Sequence, residues 1–213
     1  MIAKHRLMGP LPLILLLLGP GVDDPQSPAA QPVVPVTTNA YTPITGTGRL
    51  DWAVKNTIGP ASLWIGAFEA TWQTGYNHPE EYGRSFTGWG KRYGLRLTGV
   101  GTSSVMEAGL GAIWGEDPRY HPADGQTTKD RFTHAFKMTV LAERRDGHIA
   151  PAYARFIAIG GSNIISDAWR PNSDRTAGNT VGRIGYGFLG EFLSNLWSEF
   201  WPSIKDHLFW NKH

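Results

Sequence analysis

Cysteine is absent from the 213 residues, and that removes disulfides, thiolate metal sites and cysteine nucleophiles at once, together with any lipid anchor on a cysteine. An exported fold with this composition must hold by packing alone. Charge is also scarce: 18% of residues are charged, 20 basic side chains face 18 acidic ones, and the formal net charge is +2. No dense basic stripe occurs, so nucleic acid is not an expected partner. No segment offers the roughly 20 apolar residues of a conventional membrane span, and no fixed-period repeat appears. The alternating ten-residue strands of an outer-membrane barrel are missing.

Common chemical signatures are missing as well. The spacing of Gly99, Gly101, Gly109 and Gly111 does not make a phosphate loop, because no Lys-Ser or Lys-Thr follows. No Gly-x-Ser-x-Gly elbow exists, and Ser162 and Ser166 have no evident base.

What is present begins with a targeting pattern. Lys4 and Arg6 precede an apolar run over 11–18, and Ser27-Pro28-Ala29 offers small residues near a cut. Residues 1–29 therefore read as a signal peptide, 30–48 as a Pro/Thr-rich linker and 49–213 as a single domain. The expected location is the periplasm or cell envelope, in association with a membrane. With 41% hydrophobic residues, the chain past the linker has the composition of a folded domain.

Helical spacing dominates that domain. Val181, Ile184, Phe188, Leu189, Phe192, Leu193, Leu196, Trp197 and Phe200 recur at three and four residues over 181–201, while Arg183, Glu191, Asn195 and Glu199 gather on another side. Pro202 is the expected end of that helix, followed by a short tail carrying Ile204, Leu208 and Phe209. Leu50, Ala53, Val54 and Thr57 begin a helix that Gly59-Pro60 interrupts, and Pro60 suits the first position of the next. Residues 83–101 and the stretch from Ser104 to Trp114 read as two helices or one long one, with Ser104 and Glu107 as a cap. Thr127 and Asp130 open a helix over 131–144, and Pro151 opens another over 152–168, which is apolar on more than one side and is expected to be the most buried. The fold class is all-α, a bundle of five or six helices. Glycine, at 26 residues, falls at helical neighbours in Gly90/Gly94, Gly111/Gly115 and Gly178/Gly182. That spacing predicts close helix approach.

Polar clusters supply the site candidates. Glu116, Asp117 and His121 lie in Glu116-Asp117-Pro118-Arg119-Tyr120-His121, where carboxylates beside a histidine suit proton transfer or metal-assisted hydrolysis. A salt-bridged turn is the competing reading, with Arg119 meeting the carboxylates. Arg119, Tyr120, Trp89 and Trp114 are the binding candidates, with Trp64 and Trp72 as further stacking platforms. His78 with Glu80 and Glu81, and Glu107, are further acid-base candidates, although Glu80 and Glu81 also suit a helix start. His134 reads as a structural histidine, and Asp167, Arg170 and Asp174 as an ion pair tying two helices. No spacing marks a metal or cofactor site.

The segments Gly88-Trp89-Gly90-Lys91-Arg92-Tyr93-Gly94, Glu116-Asp117-Pro118-Arg119-Tyr120 and Glu199-Phe200-Trp201-Pro202-Ser203-Ile204-Lys205, in that order, resemble a group of exported bacterial envelope proteins rich in glycine and tryptophan. The resemblance covers most of the chain past the linker and implies an envelope protein, without an activity or functional residues to carry over. The expected role is structural or interactive, with membrane lipid, an envelope protein or a second copy as partner. An envelope enzyme and a glycan- or lipid-binding module are the alternatives, and the balance is against an enzyme.

Overall fold

The computed structural model describes residues 41–123 and 127–209, with side chains through Lys205. The signal peptide, most of the linker and the side chains of Leu208 and Phe209 lie outside the described residues.

Six α-helices and one small hairpin make up the described chain: α1 Gly46–Ile58, α2 Pro60–Gly75, α3 Phe86–Trp114, α4 Thr128–Val140, β1 Leu141–Glu143, β2 Ile149–Pro151, α5 Tyr153–Ser166 and α6 Ala177–Phe209. The all-α expectation holds. Helix α3 is the central member, with α1, α2 and α5 packed on it, and α5 leads through α6 to α4.

Local chemistry sets most boundaries. The Thr45 hydroxyl accepts from Gly48 N at 3.1 Å and starts α1 inside the stretch expected to be linker. Gly59 carries the chain into α2 with Pro60 at the first position, where its missing N–H costs nothing. Ser85 caps α3 and Thr127 caps α4 through bonds of 3.0 and 3.2 Å to Gly88 N and Asp130 N. Of the two readings of residues 83–114, the single long helix holds, and Ser104 and Glu107 are buried in mid-helix instead of capping a second one. Helix α3 stops at Gly115, whose φ of 77° is a left-handed turn that glycine adopts without strain.

Two sequence expectations fail at the ends of helices. Residues 141–144 leave the α4 helix and form β1, which pairs antiparallel with β2 in the register Leu141↔Pro151, Ala142↔Ala150 and Glu143↔Ile149. The turn between them contains Asp146-Gly147, a dipeptide suited to hairpins. Pro202 sits inside α6 rather than ending it. Arg131 spans the proline, donating to the Glu199 carbonyl on one side and to Ser203 Oγ at 3.1 Å on the other.

The interior is inverted relative to a water-soluble bundle. Among the described residues the buried apolar side chains are eight alanines with Met138 and Ile159, whereas Arg49, Arg92, Glu107, Glu116, Asp117, Arg155, Asp174 and Glu199 are buried charges. The same set shows 29 exposed large apolar side chains, with Trp64 78% and Phe68 71% exposed. The 181–201 segment has the two faces read from its spacing, but Asn195 and Glu199 point inward while Leu189, Leu193 and Trp197 point outward. No helix among the described residues is long and apolar enough to cross a membrane.

Small residues admit this polar interior at a few points. A Cβ on Gly111 would stand 2.8 Å from Arg49 Nη1 and 2.9 Å from Glu116 O, whereas Gly90, Gly94, Gly178 and Gly182 face open space. The predicted close approach is therefore real at Gly111 but not at the other two pairs. Gly111→Ala is predicted to destabilise the fold by about 1 to 3 kcal/mol through overpacking. Gly109→Ala, where a Cβ meets nothing, should instead stabilise by up to about 1 kcal/mol through helix propensity. Thermal unfolding of both variants in one buffer checks the opposite signs.

Candidate functional site

The turn after α3 carries most of the sequence candidates, and the hairpin fixes it. Asp117 N donates to Glu143 O at 2.8 Å and Arg145 N donates to Gly115 O at 3.0 Å, so the turn pairs with the end of β1 through a single antiparallel bridge, Glu116↔Arg144. Adjacent side chains of an extended segment point to opposite sides. Glu116 and Asp117 accordingly serve different partners.

Glu116 reaches α5, where Oε2 accepts from Ala154 N at 2.8 Å, while Oε1 stands 3.3 Å from Arg144 Nη2. Ala152, at the start of α5, has no side chain able to cap it. A carboxylate from a distant turn takes that place and meets the positive end of the helix dipole.

Asp117 faces the other way and is fully buried. Arg119 Nη2 donates to its Oδ2 at 2.7 Å, Arg119 N and Nε each donate to its Oδ1 at 3.0 Å, and Tyr41 OH donates to its Oδ2 at 3.0 Å. Burial pushes this carboxyl up, but the bonds from Arg119 and Tyr41 outweigh it and hold the group below its ordinary range. Burial and the neighbouring Asp117 charge push the Tyr41 phenol up to about 12. The salt-bridged turn is thus realised at Asp117 and Arg119.

His121 joins neither carboxylate. Its Nδ1 stands 3.0 Å from Glu143 Oε2, an ion-pair distance, although the angle is not that of an aligned hydrogen bond. Its ring meets Tyr41 edge-on at 5.7 Å.

Tyr120 extends the network to α6. Its hydroxyl donates to Glu199 Oε2 at 2.6 Å and lies 3.1 Å from His134 Nδ1. A phenol has one proton to give, so His134 must donate through Nδ1. Glu199 also accepts from Ala123 N and Arg131 Nε, both at 2.9 Å. Against burial, which raises it, these donors hold the Glu199 carboxyl below its usual range. His134 is structural here, as its sequence context indicated.

The largest cluster contains one sequence candidate, Glu107, joined to partners that the sequence reading did not connect with it. Arg155, 3% exposed, places Nε 2.9 Å from Glu107 on α3 and 3.4 Å from Glu191 on α6. Its Nη1 donates to the carbonyls of Met138, Thr139 and Leu141 at 2.6, 3.3 and 3.4 Å. Burial raises the Glu107 carboxyl above its ordinary range in spite of Arg155, with Glu191 adding to the rise. Arg155 stands alone among apolar neighbours in the sequence, and only that isolation could have marked it.

Other candidates serve the frame. Glu81 bonds the Ser173 hydroxyl at 2.7 Å instead of opening a long helix, and His78 lies 3.7 Å from Asp174. Arg170 holds Asp174 at 2.6 Å, the pair the ion-pair reading named, but that pair lies within the connection, and the tie from the end of α5 to α6 is made by Arg183, which pairs with Asp167 and stands 3.3 Å from Asp174. Trp89 donates to Thr71 Oγ1 at 3.0 Å and stacks between Phe86 and Tyr93. Trp114 is 38% exposed, and Trp72 lies in a ladder between Phe68 and Tyr76 with centroids 6.4 and 4.9 Å apart. No group of three metal-ligating side chains occurs among the described residues.

These contacts make a structural network. The space bounded by Glu107, Gly111, Glu116 and Asp117 contains no water-sized void. A depression of about 450 Å³ lies outside it, lined by Trp52, Lys55, Asn56 and Arg119 among others. The chain matches no protein family, no curated protein and no solved structure.

Two outcomes follow for the network. Arg155→Met should cost about 3 to 5 kcal/mol, because it leaves Glu107 and Glu191 without their buried partner; adding Glu107→Gln should recover part of that loss in denaturant unfolding. For Asp117 the folded-state pKa lies below the unfolded one. Its contribution to stability is therefore complete above the unfolded value near 3.9 and disappears as pH falls through the folded value. D117N should flatten the acid limb of a stability profile recorded between about pH 2 and 6.

Proposed function

We propose that this chain is an exported, envelope-associated structural or interaction protein that works through its outer helix faces. The observation that carries the reading is the inversion of polarity: large apolar side chains stand outside while eight charged side chains, most of them paired, are buried. Water-soluble monomers rarely expose apolar patches beyond a few hundred Å². The targeting pattern over 1–29 and the resemblance to glycine- and tryptophan-rich envelope proteins support the location.

The carboxylates and arginines of the post-α3 turn have mutual partners. That arrangement favours a frame over a catalytic centre, since Glu116, Asp117 and His121 do not converge on one reacting atom. In the interaction reading, the frame keeps the outer faces in fixed relation to one another.

Expression of the tagged full chain in a Gram-negative host, followed by fractionation, tests the proposal. The expected result is a processed protein that stays in the membrane pellet or in a larger envelope complex after alkaline carbonate. Recovery as a free periplasmic monomer, or as an unprocessed cytosolic protein, would overturn it.

A further inference from the structure

The outer faces carry more apolar surface than one protein partner covers. All six helices contribute to the 29 exposed large apolar side chains: Leu50 and Val54 on α1, Trp64 and Phe68 on α2, Val105 and Ile113 on α3, Phe132 and Phe136 on α4, Ile157 and Ile164 on α5, and Leu193 and Trp197 on α6. At roughly half of about 200 Å² each, they amount to on the order of 3,000 Å². A standard protein interface takes only about 800 Å² from each partner. A second copy docked on one side would leave most of this surface in water.

The charges of α3, α5 and α6 show where the polar side of those three helices lies, whereas Asp51 and Lys55 on α1 and Lys137 on α4 are exposed. Residues 97–114 of α3 contain one charged side chain, Glu107, and it is 8% exposed and paired with Arg155. Arg155, 3% exposed, is the one charge of α5. Over 184–204 of α6 the charges are Glu191 and Glu199, 23% and 0% exposed, both turned to arginines. These stretches therefore present no free charge on their outer side. Small side chains and hydrogen-bonded polar groups on the inside, with large apolar ones outside, are the distribution of helices packed in hydrocarbon. Mean hydropathy along a helix averages the two sides together and does not register a face.

We infer that the acyl chains of a lipid bilayer cover the charge-free outer faces, so that hydrocarbon is the solvent on that side of the bundle and the ion pairs are its interior. The inference rests on the envelope reading and names its partner. Exposed Trp64, Trp72, Trp197 and Trp201 then lie within reach of acyl carbons, with Arg155 and Asp117 shielded from lipid by the helices that pair with them.

The full chain is mixed with vesicles of phosphatidylethanolamine and phosphatidylglycerol, with plain oleoyl chains or with chains brominated near their middle, and tryptophan emission is recorded. Bromine in the acyl region should lower emission at least about twofold, and a variant with Trp64, Trp72, Trp197 and Trp201 all changed to Phe should lose most of that quenching. A charge on the outer face, in Ile164→Glu or Leu193→Glu, should weaken vesicle partition about tenfold or more without loss of helical circular dichroism in detergent. Equal partition of the charged variants would falsify the inference. Unquenched protein that forms a defined oligomer or protein complex overturns lipid as the partner and leaves the interaction reading standing. Unquenched monomer that stays in buffer beside the vesicles ends both, and aggregates that vesicles do not disperse count against lipid alone.

Discussion

The guanidinium of Arg155 is the constraint on which the bundle depends. It meets carboxylates on α3 and α6, the last carbonyls of α4 and, at 3.5 Å, the Pro118 carbonyl of the turn after α3. A fully buried cation is tolerated only when every direction around it supplies an acceptor. The position of α5 relative to α3, α4 and α6 is thereby specified by hydrogen-bond geometry. Alanine and glycine contacts by themselves would let those helices slide.

The other buried charges repeat this logic at smaller scale. Arg92 gathers the loop between α2 and α3 by donating to the carbonyls of His78, Pro79 and Gly83 at 2.7 to 2.8 Å. Glu199 gathers Tyr120, Ala123 and Arg131, and Asp117 holds Arg119 and Tyr41. Several centres join segments far apart in sequence, so the bundle is held by directional contacts where one with a large apolar core would rely on area. Without cysteine the chain is expected to hold by packing alone, and it holds instead by packing plus a set of internal ion pairs.

How far the sequence carries this structure depends on what each signal measures. Helix periodicity and caps report local backbone preference, and Thr127, Pro60 and the 181–201 stripe led to α4, α2 and α6. The Asp117–Arg119 pair was legible because two residues of separation bring the partners together locally. Periodicity identifies two faces of a helix but not the solvent each face meets, so the apolar stripe of α6 carried no sign of which way it points. Glycine spacing was misleading for a related reason: Gly90 and Gly94 share a face, yet nothing approaches it. Arg155 with Glu107 and Glu191, Glu116 at the start of α5 and Tyr120 with Glu199 are long-range pairs that no local pattern encodes. The hairpin was within reach, since Asp146-Gly147 is a turn dipeptide, but its three-residue strands are too short to show alternation.

An inverted interior changes how such a chain reaches its fold. In water, collapse rewards burial of Trp64, Phe68, Leu193 and their like, which the native bundle leaves outside. Compact wrong states therefore compete with the native one for as long as the chain is in an aqueous compartment. The contacts that distinguish the native state, those of Arg155 with residues 107 and 191, close loops of long sequence separation and form late. Time spent in water therefore favours compact states that hide these apolar faces over the native bundle that exposes them.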